Sequence, residues 1–346
     1  MPPGTLLIRA DADASIGTGH VMRCLALAQA WMERGGNAAF AVRNLPESLS
    51  RRLSAEGITC ENLPVKPGAE AEQVAESATR KRADWVAVDL PHADGAYQRA
   101  LKEAGLQVLL LDDGLRPATH CADLILNQNF AADAGQYPQR DANTGLLLGP
   151  QYILLRREFR TGLKRSRQRH TESRRILVTM GGSDPGNLTA QILELFESAG
   201  LVGLEVMVAA GAANPNADEL RSQVAKSGWR LRTDVTHMQE LMMWADIAII
   251  AAGGTLWELL CLGCPVLSYW RNRVQARVVM DLASQGVIRD MGSVETLNGQ
   301  TLVRAVEALL SLPGERTRMS QAGQQLVDGN GAERVCDALL KHQVSQ

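Results

Sequence analysis

The chain has 346 residues, which at about 150 per domain is enough for roughly two domains. Its 36 Lys and Arg against 38 Asp and Glu leave a formal net charge of -2, and its aromatics are only 4%. That balance argues against a general nucleic-acid binder, which needs a basic excess or a base-stacking surface. No apolar run approaches the ~20 residues of a membrane span, and the opening Met1-Pro2-Pro3-Gly4 lacks the basic region of a signal peptide. Cys24, Cys60, Cys121, Cys261, Cys264 and Cys336 are too scattered for a disulfide framework. Reduced thiols, a cytoplasmic location and no membrane partner are therefore expected.

Short β-rich runs alternate with segments of helical length. Thr5–Ala10 reads as a buried strand, and the spacing of Val21, Leu25, Ala28 and Met32 predicts a helix over His20–Arg34, ended by Gly35-Gly36. Further strands are expected at Ala38–Val42, at Trp85–Val88 and Val108–Leu111 (each followed by Asp), and at Leu124–Leu126. A polar, strongly basic stretch without periodicity, 161–174, reads as the linker between a first domain at 1–160 and a second at 175–346. Its charge is read as that of a solvated linker. The pattern then restarts, with strands at Ile176–Thr179, Leu204–Ala209, Ile247–Ile250 and Pro265–Ser268 and a helix at about Leu188–Ser198. Two β-α-β series imply an α/β protein of two doubly wound, Rossmann-like domains facing a cleft, with ligands at the carboxyl ends of the strands. The last helix, about Gly331–His342, is a candidate to cross back to the first domain.

Three motifs stand where such folds bind ligands. Gly17-Thr18-Gly19-His20 follows the first strand and opens the first helix. Its small residues let a ligand approach the backbone, and a helix N-terminus disfavours a charged imidazole. His20 is then expected to stay largely neutral and to suit a general base, unless the segment is only a βα turn with a surface His. Gly181-Gly182-Ser183 could receive a phosphate or form a simple turn. Gly253-Gly254-Thr255 opens a helix as a diphosphate site, with Glu258 in reach of ribose hydroxyls; Thr255-x-x-Glu258 also reads as a capping box.

Other signals are weaker. Met22 and Arg43 break the dinucleotide fingerprint, which disfavours a nicotinamide dehydrogenase. Asp11-Ala12-Asp13 spells a metal-nucleotide pattern without a further ligand, and Cys261-x-x-Cys264 has no second pair at zinc spacing. His92, His120, His170 and His237 have no matching cluster, and no G-x-S-x-G elbow marks a serine hydrolase.

Ile8–Leu27, reading IRADADASIGTGHVMRCLAL, resembles the opening signature of the nucleotide-sugar hydrolases of pseudaminic acid biosynthesis, which act on UDP-2,4-diacetamido-2,4,6-trideoxy-β-L-altropyranose. The likeness continues at Leu111–Asp113, Asp123–Asn129, Leu148–Phe159, Thr179–Pro185, Ala245–Gly263 and Val327–Val335. It implies a GT-B-like fold with UDP held mainly by the second domain. It further implies metal-independent hydrolysis without a cofactor: water attacks the anomeric carbon and UDP leaves. The family's essential His matches His20, and its nucleotide loops match Gly181–Ser183 and Gly253–Glu258. By analogy with GT-B sites, the backbone at His237-Met238 would meet the uracil. Asp11, Gly17, Gly19 and Gln275 complete the expected substrate contacts, and a monomer is expected.

Two departures fall where the sugar would bind. The family usually carries Asp-x-Tyr after the strand ending at Asp89, where this chain has Leu90-Pro91; it tends to show Asn-Gln where this chain has Val274-Gln275. The reaction type is therefore a firmer expectation than the sugar: a related 2,4-diacetamido sugar, or a lost activity, stays open. The alternatives are a GT-B UDP-sugar glycosyltransferase and a non-catalytic nucleotide-sugar binding protein.

Overall fold

Runs of four to seven residues, apolar in the central strands and too short for core helices, form two sheets whose paired strands all run parallel. The computed structural model describes residues 3–13, 17–64, 66, 68–113, 119–162, 174–182, 184, 186–201, 203–211, 214–233 and 235–344. The chain divides into two compact units, one of residues 1–157 with 329–346, the other of residues 158–328.

In the first unit, β1 (Thr5–Ala10), α1 (Gly19–Glu33), β2 (Asn37–Val42), α2 (Glu47–Ala55), β3 (Thr59–Asn62), α3 (Glu70–Lys81), β4 (Ala83–Asp89), α4 (Gly95–Glu103), β5 (Gln107–Leu111), β6 (Leu124–Asn127) and β7 (Gly145–Leu148) follow in order. The seven strands lie as β3-β2-β1-β4-β5-β6-β7. Alternation along β1 sends Leu6, Ile8 and Ala10 to a core shared with α1, and Leu7 to the opposite core with Val74 and Ala78 of α3 and Leu101 of α4. Burial on both faces is why these strands read as continuous apolar runs.

α5 (Arg157–Gly162) takes up the start of the expected linker, most of which (163–173) lies outside the described residues. The second unit then runs β8 (Arg175–Thr179), α6 (Leu188–Ser198), β9 (Glu205–Ala210), α7 (Ala217–Lys226), β10 (Arg230–Thr233), α8 (Met238–Trp244), β11 (Ile247–Ala251), α9 (Gly254–Cys261), β12 (Val266–Trp270), α10 (Arg273–Ser284), β13 (Arg289–Ser293), α11 (Gly299–Ser311) and α12 (Pro313–Leu326). Its six strands lie as β10-β9-β8-β11-β12-β13. Leu188, Ile192 and Phe196 of α6 share one core with Leu302, Val306 and Leu309 of α11.

The final helix, α13 (Gly331–Val344), belongs to the first unit. Ala332, Val335, Cys336 and Leu339 join the core that buries Leu25 and Ala28 of α1. Arg34 fastens the pair, meeting Glu333 and, at 2.8 Å, Asp337. Gly331 passes so close to the Ile153 backbone that a Cβ would collide with it. Among the described residues no helix is long and apolar enough to cross a membrane.

Candidate functional site

In each sheet the strand order reverses beside its first strand, between β1 and β4 and between β8 and β11. Ligands of open α/β sheets sit at such switch points, outside the carboxyl ends of the strands. The motifs that follow β1, β8 and β11 all stand there.

In the first unit, Gly17 turns the chain with φ +79, and its N–H bonds Asp13 O at 2.9 Å. That left-handed conformation explains the glycine. A Cβ on Gly19 would meet nothing within 4 Å, so packing does not require this second glycine. His20 follows in the first turn of α1, which has Thr18 as N-cap and no capping side chain.

His20 Nδ1 lies 2.7 Å from Oδ1 of Asp89, the last residue of β4. Arg23, one turn further along α1, donates Nε to Asp89 Oδ2 at 2.6 Å, Nη2 to Asp89 Oδ1 at 2.6 Å and Nη1 to Asp113 Oδ1 at 2.9 Å. Burial alone would raise the Asp89 pKa, but the charge and hydrogen bonds of Arg23, with those of His20, carry it well below the usual carboxylate range. Asp89 is thus an ionised acceptor, so His20 Nδ1 carries a hydrogen and donates it. Nε2 is left as the nitrogen that can take a proton. Arg23 Nη2 also stands 3.2 Å from Nδ1; both groups are donors aimed at the same Asp89 oxygen.

The expectation that the helix N-terminus keeps the imidazole neutral is corrected here. The hydrogen bond that His20 donates to Asp89 raises the His20 pKa above its ordinary 6.5, against burial and against Arg23. A helix terminus contributes about 0.3–1 kcal/mol, whereas a hydrogen bond to a charged group contributes about 1.5–3 kcal/mol, so the carboxylate prevails.

Asp11 is a second correction. Its carboxylate accepts from Arg9 Nη1 and Nη2 at 2.6 and 2.5 Å, from Arg43 N at 2.7 Å and from Asn44 N at 3.1 Å. It is buried and engaged within the protein, so it fixes the end of β1 to the end of β2 and does not face a substrate. Arg9, fully buried, is held on its other side by Glu70 at 2.8 Å. Among the described residues no group of three His, Cys, Asp or Glu is placed to hold a metal ion.

In the second unit, the loops after β8 and β11 leave from adjacent strands, with Ile250 in register with Thr179. Gly181 has φ +94 and needs to be glycine. Gly182, Gly253 and Gly254 have no such requirement: Gly253 is extended at φ 176, and a Cβ on any of the three would meet nothing within 4 Å. Close approach of a ligand to the backbone is a use for glycine that remains. Gly211 packs so tightly on the Gly182 backbone that a Cβ would overlap it, which holds that loop in place. Ser183 lies outside the described residues.

The capping box is a third correction. α9 begins at Gly254 with Gly253 as N-cap and no capping side chain, which puts Thr255 inside the first turn. The helix therefore presents an uncapped N-terminus with no acidic residue in its first turn, an arrangement that favours an anion. Glu258 is half-buried on the same helix. His237 is exposed and precedes α8, which starts at Met238. Gln275 uses Oε1 to accept Arg271 N at 2.8 Å, so that oxygen shapes the turn after β12. Cys261 and Cys264 are buried, and burial pushes the Cys261 thiol up to about 12, as for inert core cysteines.

Two residues of this site lie outside the sequence motifs, Arg23 and Asp89. Arg23 had a usable signal, since i and i+3 share a helix face. Asp89 showed only as an acid closing a strand.

No protein-family profile matches the chain. The spore coat polysaccharide biosynthesis protein SpsG of Bacillus subtilis is 26% identical over 335 residues, which cover 95% of each chain. The UDP-2,4-diacetamido-2,4,6-trideoxy-beta-L-altropyranose hydrolase of Campylobacter jejuni is 27% identical over 266 residues, 74% of this chain and 88% of its own. Among solved structures, MurG of Acinetobacter baumannii is similar with a TM-score of 0.65 at 13% identity, over 98% of this chain and 100% of its own. UDP-GlcNAc 2-epimerase of Neisseria meningitidis, bound to UDP-GlcNAc, gives 0.62 at 14% identity, over 98% and 100%. At such identities the likeness establishes the fold: two Rossmann-like α/β units of the GT-B type.

Proposed function

We propose that this chain hydrolyses a UDP-sugar, with a 2,4-diacetamido-trideoxy sugar as the substrate class. The observation that carries the reading is the hydrogen-bonded Asp89–His20 dyad, with Asp89 ion-paired to Arg23, which gives an oriented base on the first turn of α1. His20 Nε2 takes a proton from water as the water oxygen bonds to the anomeric carbon. The bond from that carbon to the phosphate oxygen breaks, and UDP leaves with its electron pair. Backbone N–H groups at Gly182 and Gly254 and the N-terminus of α9 stabilise the charge gathering on the diphosphate. Glu258 takes the ribose, and the backbone at His237-Met238 takes the uracil. The base contributes about 10²–10⁴-fold to the rate.

The named activity of the Campylobacter relative supports this substrate class. A second reading, transfer of the sugar to an acceptor hydroxyl by the same base, is favoured by the polysaccharide-biosynthesis relative that spans nearly the whole chain. His20→Asn tests the chemistry. It should abolish UDP release while changing UDP affinity less than about twofold, because the diphosphate groups are on the second unit. A variant that keeps wild-type turnover removes His20 from the reaction.

A further inference from the structure

We propose that Arg271 is a ligand of the diphosphate, its guanidinium laid across the carboxyl end of β11. This inference rests on the UDP-sugar reading and adds a residue to it. Strand order supplies the geometry: β11 lies between β8 and β12. Neighbouring strands are about 4.8 Å apart, so β8 and β12 are separated by about 10 Å. Arg271 directly follows β12, yet its Nη2 donates to Met180 O at 2.5 Å and lies 3.5 Å from Asp184 Oδ1, both in the segment after β8. The side chain therefore bridges the mouth of β11, where Ala252 leads into Gly253 and Gly254.

Both ends of this side chain are held. Its own N–H donates to Gln275 Oε1 at 2.8 Å, and Gln275 N donates to Asn272 Oδ1 at 3.0 Å. Its tip rests on Met180 O. Asp184 Oδ1 is the ion-pair partner of Nη2 at 3.5 Å, and its carboxylate is shared with Leu188 N at 3.2 Å, Thr189 N at 3.0 Å and Thr189 Oγ1 at 2.7 Å. Arg271 Nε is buried with no hydrogen-bond partner among the described residues. A guanidinium has five donors in a fixed fork, and a diphosphate oxygen is the acceptor such a fork suits. The open space around Gly182, Gly253 and Gly254 is where that oxygen would come.

Calorimetric titration of wild type, Arg271→Met and Arg271→Lys with UDP and with uridine tests the assignment, with melting temperatures to show that each variant is folded. Arg271→Met should lose about tenfold or more in UDP affinity, keep its uridine affinity within about twofold and show a shallower salt dependence for UDP. Arg271→Lys, which keeps the charge but not the fork, should fall between. An Arg271→Met protein that binds UDP as wild type overturns the assignment, as does an equal loss for UDP and uridine, which would make Arg271 a support for the loop. Wild-type protein that binds no UDP overturns the UDP-sugar reading and this inference with it.

Discussion

His20 Nδ1 and Asp89 Oδ1 meet at 2.7 Å although 69 positions separate them in the chain. The contact exists because β1 and β4 are hydrogen-bonded neighbours, with Ala10 in register with Asp89, and α1 starts just beyond the end of β1. Asp89 in turn is kept ionised by Arg23.

Asp89→Asn removes the acceptor that fixes the His20 tautomer. Turnover should fall by roughly 10²–10⁴-fold, the scale of general-base help. Stability should fall by about 3 kcal/mol, because Arg23 loses its buried partner. Steady-state rates and urea unfolding measure the two losses. Wild-type turnover in a folded Asp89→Asn protein would contradict the dyad.

The raised His20 pKa has a defined sign. Only the neutral imidazole accepts a proton, so kcat/KM should climb with pH through a value above 6.5 and then level off. Folding is linked in the opposite sense. The proton is held more tightly in the folded state, so this stabilisation is present below pH ~6.5 and disappears as pH rises through the folded value. His20→Asn should therefore cost more stability at about pH 5.5 than at about pH 8.5. An ascending limb centred below 6.5 would contradict the shift.

Much of this arrangement was readable beforehand, and what was not has physical causes. The buried central strands were found because burial on both faces demands apolar runs. The four strands missed, β3, β7, β10 and β13, are the four sheet edges. They are short, and Thr59–Asn62, Arg230–Thr233 and Arg289–Ser293 are largely polar, as edges facing water are. The glycine motifs and His20 were visible because they follow strands directly. The Asp89 partnership, the saturation of Asp11 and the reach of Arg271 depend on which strands become neighbours, and no local pattern carries that.

Gly254→Val tests the cradle. A Cβ there meets nothing within 4 Å and Val has a higher helix propensity than Gly, so the fold should tolerate the change with stability altered by no more than about 1 kcal/mol. UDP affinity should drop about tenfold or more, because the side chain enters the space of the diphosphate. Calorimetry and thermal melting separate the effects; unchanged affinity would place the nucleotide elsewhere.

Docking of α13 is tested at Gly331. Gly331→Ala drives a methyl into the Ile153 backbone and should destabilise by about 1–3 kcal/mol. Gly314→Ala in α12, where the methyl meets nothing within 4 Å, should be neutral or stabilising by up to about 1 kcal/mol. Urea unfolding of the two variants makes the comparison, and equal stabilities would contradict the close approach.

The hydrolytic claim is tested most directly by incubating wild type and His20→Asn with the 2,4-diacetamido UDP-sugar in oxygen-18 water, without acceptor, and following UDP and the free sugar by NMR and mass spectrometry. UDP should accumulate with wild type alone, and the label should enter the sugar at the anomeric carbon. Label in the phosphate, UDP release only after an acceptor is added, or equal release by His20→Asn would contradict it.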